Sequence, residues 1–284
     1  ANNGKNVTEV LENPDFSLKA GRYNGTQKVT ITHTQSGVNI RYTINGSEPT
    51  ATSNLYSNPV SISTTQTLKA KAFHPDFLPS KTEVKTYFIN EPVFTLPVVS
   101  LSLKSEYLWD AQIGIYTDGS NGITGNCSNT PRNWNQDWDR HGSFELFHAS
   151  GEKDFDEECD IGIFGGCSRG QPQKSFKIKA RNKYGDNVFI RKLFAEKPSE
   201  EYGGFILRNS GNDFNVTMFR DAMMQALVKD QMDIDYQAYQ PAIVYLNGQY
   251  WGIQNMREKI DADYIESNYG LKKEEIDLLE GNRS

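Results

Sequence analysis

The 284-residue chain has no apolar run approaching the roughly 20 residues that a membrane-crossing helix requires. No membrane span is therefore expected. Cysteine is scarce: Cys127, Cys159 and Cys167 are odd in number and lack the paired spacings of a zinc site. One disulfide, joining Cys127 to Cys159 or to Cys167, and three separate buried thiols are both compatible with that count. The four histidines, His33, His74, His141 and His148, show no metal-like spacing and read as surface or hydrogen-bonded side chains. No metal ligands are assigned. Positive charge is not in excess either. The net charge of −6 gives no general reason to expect nucleic acid as partner. No pair of carboxylates can be placed at a glycosidic bond, which sets a glycosidase aside.

What is present falls into two compositional regimes. Residues 1–90 carry nine Lys and Arg against six Asp and Glu, a net of +3 that leaves −9 for residues 91–284. The first ninety residues hold 21 Ser and Thr, whereas Trp109, Trp134, Trp138 and Trp251 all follow. Two domains are expected: a tail over 1–15, a first domain over 16–89, a proline-bounded link over 90–97 and a second domain over 98–284. The Asn, Ser and Thr content of the front half leans toward an exported, extracellular or cell-surface protein.

In the first domain the strands are short and the breaks regular. Val29–Thr32, Ile40–Ile44, Val60–Ile62, Leu68–Phe73 and Glu83–Phe88 alternate with period two, punctuated by Ser36-Gly37 and Asn45-Gly46. Alternation at spacings near ten residues predicts an antiparallel, all-β, Ig-like sandwich. The wording Ile40-Arg41-Tyr42-Thr43-Ile44-Asn45-Gly46-Ser47-Glu48-Pro49, with Leu55-Tyr56-Ser57-Asn58-Pro59-Val60 and Leu68-Lys69-Ala70-Lys71-Ala72, resembles the C-terminal domain of chitobiase and β-hexosaminidase. That resemblance implies an accessory module without hydrolytic residues, serving as a spacer or as a glycan- or surface-binding element.

The second domain reads as strands with one helix inserted before the last hairpin, an α+β arrangement. Ile161–Phe164 enters the turn Gly165-Gly166-Cys167-Ser168-Arg169-Gly170, and Ser175–Arg181 leaves it. Glycines let a backbone approach a ligand, and exposed N–H groups with lysine ammonium groups favour phosphate oxygens. Lys174, Phe176, Ile178 and Ala180 share one strand face, and Lys177, Lys179 and Arg181 the other. Lys174 thus falls in the core-side register, where it needs a phosphate or a structural carboxylate to meet it. Lys177 and Lys179 read as solvating an edge. Phe219, Ala222, Met223, Ala226 and Leu227 follow the helical period, and this stripe is expected to pack on the core. Ala242–Leu246, Asn247-Gly248 and Tyr250–Met256 form a hairpin with the strongest short-range turn signal. Asp261 is placed to cap a helix through Tyr264, Ile265 and Asn268, with Gly270 ending it.

Glycine loop, lysine strand, helix, hairpin and exit segment follow the order of an N-terminal kinase lobe. Beyond order, Asn133-Trp134-Asn135-Gln136-Asp137-Trp138-Asp139-Arg140, the glycine loop, Phe205–Asp213, Met218-Phe219-Arg220-Asp221 and Tyr245–Ile253 resemble the CotH family. These spore-coat-H-like proteins include atypical secretory-type protein kinases. The likeness runs from about Leu96 onward. It implies ATP as cosubstrate, a divalent metal such as Mg2+, and phosphate transfer to Ser or Thr of an exported or coat-type protein.

By the same resemblance Gly165, Gly166, Ser168 and Arg169 would surround the phosphates. Lys174 would be the leading phosphate lysine, and Met256 to Glu258 the hinge beside adenine. Asp221 and Glu258 are the candidates for the carboxylate that holds Lys174. The family's catalytic and metal-binding aspartates belong to a C-terminal lobe that has no matching stretch up to Ser284, so this span alone is expected to be inactive. The competing reading is a non-catalytic surface or coat-assembly protein whose sandwich binds glycan or polymer.

Overall fold

The computed structural model describes residues 8–125 and 127–279; residues 1–7 of the expected tail lie outside them. The chain divides into two compact units. One comprises the chain up to Leu108 with Gly142–Asp156 and Ile243–Gly252; the other comprises Trp109–His141, Glu157–Ala242 and the chain from Ile253 onward.

In the first unit, β1 (Gly21–Tyr23), β3 (Asn39–Thr43), β4 (Asn54–Leu55), β6 (Gln66–Phe73) and β7 (Glu83–Ile89) form a sheet in the order β1-β7-β6-β3-β4. A smaller sheet pairs β2 (Gln27–Val29) with β5 (Val60–Ile62) in antiparallel register. Period-two alternation sends Val29, Ile62, Leu68, Ala70 and Tyr87 into one core. Lys69, on the opposite face of β6, is buried without orphaning its charge, because its ammonium meets Glu48 at 2.6 Å. The first domain is an all-β sandwich-type module, as expected.

The same unit holds β8 (Val98–Leu103). It pairs antiparallel with the Gly142–Phe147 part of β9 (Asp139–Phe147) and parallel with the Ile243–Leu246 part of β13 (Tyr239–Leu246). Phe94, within the segment read as a link, is buried with Phe88, Val98, Phe147 and Tyr245. The Asn247-Gly248 turn holds both residues at positive φ, +50° and +79°, as a tight hairpin requires. Asn247 also accepts from the Leu103 amide and donates to the Leu103 carbonyl, each at 2.9 Å.

In the second unit the last part of β10 (Lys153–Phe164) pairs with β11 (Ser175–Lys179). The next neighbours are β12 (Gly204–Arg208) and then the end of β14 (Gln249–Arg257). The register separates two faces. Ile161, Ile163, Phe176, Ile178, Phe205, Leu207 and Met256 are buried on one. The other presents Asp160, Gly162, Lys177, Lys179, Gly204, Ile206, Arg208, Asn255 and Arg257, because residues paired across strands point to the same side.

Helix α1 (Arg220–Val228) corrects one expectation. Of its apolar stripe Ala222 is buried, whereas Phe219, Met223 and Leu227 are exposed. The sheet face near this helix carries arginines, and Asp221 reaches Arg208 Nε at 2.7 Å and Arg257 Nη1 at 3.3 Å. Charge pairing thus fixes the helix rotation. Helix α2 (Ala262–Tyr269) is capped by the Asp261 side chain and ended by Gly270 at φ +69°, as read. Among the described residues no helix is long and apolar enough to cross a membrane.

Candidate functional site

The glycine loop is built as read but committed inward. Gly165 takes φ +108°, and a Cβ there would lie 2.4 Å from Ser168 Oγ. The Arg169 guanidinium donates to the Gly165 carbonyl and to the carbonyls of Trp134 and Asn135, the latter two at 3.2 Å. Asn209 Nδ2 donates to the Ser168 carbonyl at 3.3 Å. A disulfide joins Cys127 to Cys167, and Cys159 is buried outside that bond. That outcome is one of the two pairings left open by the sequence.

Lys174 lies beneath this loop, and its ammonium is already engaged. It donates to the carbonyls of Arg169 at 2.7 Å and Gln171 at 3.1 Å, and it sits over the rings of Trp134 and Tyr116. Burial pushes its pKa down to about 8, with Asp118 partly opposing. Neither carboxylate expected to hold Lys174 does so. Asp221 serves the two arginines, and Glu258 is buried against Lys197 at 3.1 Å. Met256, read as hinge, is a core residue of the apolar face. The structure therefore brings Gly165, Ser168, Arg169 and Lys174 together and places Met256, Glu258 and Asp221 in other clusters.

The opposite face holds the open site. A pocket of about 310 Å3 is lined by Lys177, Lys179, Arg181, Lys259 and Lys273, with Asp261, Asp263 and the backbone of Gly203 and Gly204. Lys177 does not solvate an edge, as read; it is buried in the pocket wall. Its stem crosses Gly162, where a Cβ would lie 2.4 Å from Lys177 Cε and 2.6 Å from Asp139 Oδ1. Its ammonium contacts Asp137 and, at 3.1 Å, Asp139 Oδ1. Asp139 also meets Lys179 at 3.0 Å and Arg181 at 3.1 Å, and Arg181 meets Asp160 at 3.0 Å. Burial raises the Asp139 carboxyl's pKa, but the two lysines outweigh it and hold the group below its ordinary range. These residues escaped the sequence reading. The signal was there in the alternation of Lys177, Lys179 and Arg181, read as solvation instead of as a cationic row facing Asp137 and Asp139.

The pocket's carboxylates do not assemble a divalent-metal site among the described residues. Asp261 caps α2 and pairs with Lys259 at 2.7 Å, and Asp263 is held by Lys273. Each already neutralises a cation.

Asp213 locks the entry to α1. Its carboxylate accepts from the amides of Phe219 at 3.1 Å and Arg220 at 3.0 Å. The Thr217 hydroxyl bond, helped by the amides of Arg220 and Thr217 and by the Arg220 charge, pushes its pKa down to about 2 against desolvation.

Comparison with known families agrees with this architecture. Residues 161–283 match the family described as CotH kinase protein. Residues 18–86 match the chitobiase/beta-hexosaminidase C-terminal domain. The chain thus carries a CotH kinase domain preceded by a chitobiase-type module. No curated protein matches it significantly. The CotH match covers the glycine loop, β11, β12, α1 and the pocket residues from Lys177 to Lys273.

Proposed function

We propose that the CotH kinase domain binds a nucleoside triphosphate in the pocket on the polar face of β11 and β12, as part of a kinase-like phosphotransferase acting on Ser or Thr of exported or coat-type proteins. One observation carries the reading: five cationic side chains, each with a carboxylate beside it, converge on a single pocket, and one of them, Lys177, is buried in its wall. Phosphoryl transfer requires little covalent chemistry from the protein and much positioning of charge. Lys177, Lys179 and Arg181 would orient the phosphates. This assignment moves the leading phosphate lysine from Lys174 to Lys177. A divalent metal, if the reaction uses one, would be brought with the nucleotide, and no step is assigned to it.

Calorimetric titration of the 284-residue chain with ATP tests the proposal. Saturable binding is expected, weakened at least tenfold by Lys177→Ala and several-fold by Lys259→Ala, with thermal unfolding measured on each variant. Absence of binding, or binding indifferent to both substitutions in folded protein, would overturn it.

A further inference from the structure

Lys177 has two anionic partners of different standing. Asp139 has 20% of its side chain exposed and is fixed by Lys179 and Arg181 as well as by Lys177. Asp137 has 79% of its side chain exposed, against 7% for Lys177. The lysine cannot withdraw, since its stem is packed over Gly162. Asp137 can turn into water without orphaning the lysine, because Asp139 stays beside the ammonium at 3.1 Å. The Lys177 hydrogen bond nonetheless holds the Asp137 carboxyl below its usual range, so the group stays charged at neutral pH.

A phosphate oxygen makes the same contact with an ammonium group as a carboxylate oxygen, with more charge behind it. Resting on the triphosphate reading of this pocket, we infer that Asp137 is its affinity-setting residue: its carboxylate occupies the phosphate position on Lys177, and a polyphosphate ligand binds by displacing it. Asp139 stays in place as the counter-ion that keeps the cationic row together when the ligand leaves. The arrangement selects for ligands with enough charge to outcompete a tethered carboxylate. Polyphosphates therefore gain over monophosphates.

The test uses the full chain and calorimetry with ATP, inorganic tripolyphosphate and AMP at fixed salt. Asp137→Asn removes the competing charge and keeps the side-chain shape, and Glu152→Gln, in the other unit, controls for net charge. Asp137→Asn is expected to tighten ATP and tripolyphosphate about tenfold, as removal of a like charge a few ångströms from the ligand implies. It should also narrow the preference over AMP, with Glu152→Gln unchanged. Weak but saturable native binding that Asp137→Asn tightens by more than tenfold would support the inference equally. Equal or weaker binding by Asp137→Asn, alongside measurable native binding, would sink the role of Asp137 and leave the pocket standing. Failure of both proteins to bind ATP and tripolyphosphate would remove the pocket reading and this inference together.

Discussion

The Lys197 ammonium and the Glu258 carboxylate meet at 3.1 Å with 5% and 3% of their side chains exposed. Neither charge is left over. Lys197 also donates to the Tyr236 carbonyl at 3.1 Å and to Asn268 Oδ1 at 3.0 Å, and it lies 4.1 Å from the Tyr236 ring centroid. Glu258 accepts from the Ala238 amide at 2.7 Å and from Asn268 at 3.2 Å. One buried pair thus joins the end of β14, the start of β13 and helix α2, whose capping residue Asp261 lines the pocket.

Breaking that pair by removing one partner leaves a buried charge uncompensated, which costs about 3–5 kcal/mol. Lys197→Met and Glu258→Leu are each expected to lower unfolding free energy by that order in a urea titration. The double variant should lose less than either alone, since it leaves no orphan charge. Additive losses would show that the two side chains act separately.

Lys174→Ala is expected to destabilise the chain and to leave ATP affinity within about twofold. It removes the donor that satisfies the Arg169 and Gln171 carbonyls, a loss of about 1–3 kcal/mol where water does not replace it. Its pKa is depressed to about 8 in the folded chain, below the unfolded value. Between about pH 8 and 10.5 the unfolded chain therefore binds more protons, and this residue's contribution to stability grows as pH rises through that window. Parallel urea titrations and ATP binding check both statements. A tenfold affinity loss with unchanged stability would restore Lys174 to the phosphate site.

Local patterns were legible in this sequence wherever one chemistry dominated. Leu68, Ala70 and Ala72 announce their strand, Asn247-Gly248 its turn, Asp261 and Gly270 the ends of their helix. Rotation and pairing were less legible because they depend on partners far along the chain. The stripe Phe219, Met223 and Leu227 promised a core-facing helix, yet Asp221 meets Arg208 and Arg257, which no periodicity could assign. Lys174 and Lys177 differ by three positions and fall on opposite faces, so the register was read correctly. The error lay in what each face means: the apolar face closed over Lys174 with backbone carbonyls, and the face taken for solvated carries the pocket. Asp137 and Asp139, some forty residues upstream of Lys177, gave no local sign of meeting it.

Glu145 supplies the pH prediction. Its carboxylate is fully enclosed beneath Thr86, whose amide donates to it at 3.1 Å and whose hydroxyl also reaches it, and Thr86 and Ser100 hydroxyls lie 2.8 Å apart. Burial pushes the Glu145 pKa up to about 7, against the opposing pull of Lys153 and the Thr86 hydrogen bonds and with Asp156 adding to the rise. The folded pKa lies above the unfolded one, so the protonated form favours folding. Between about pH 4.5 and 7 the native chain binds more protons than the unfolded chain, and stability falls as pH rises, levelling above 7. Glu145→Gln keeps an acceptor for the Thr86 amide without a titrating group. In urea titrations at pH 5, 6, 7 and 8 the native chain is expected to lose on the order of 2–3 kcal/mol more than Glu145→Gln across the window. Parallel curves for the two proteins would show that Glu145 stays ionised throughout, with Lys153 and Thr86 compensating its burial completely.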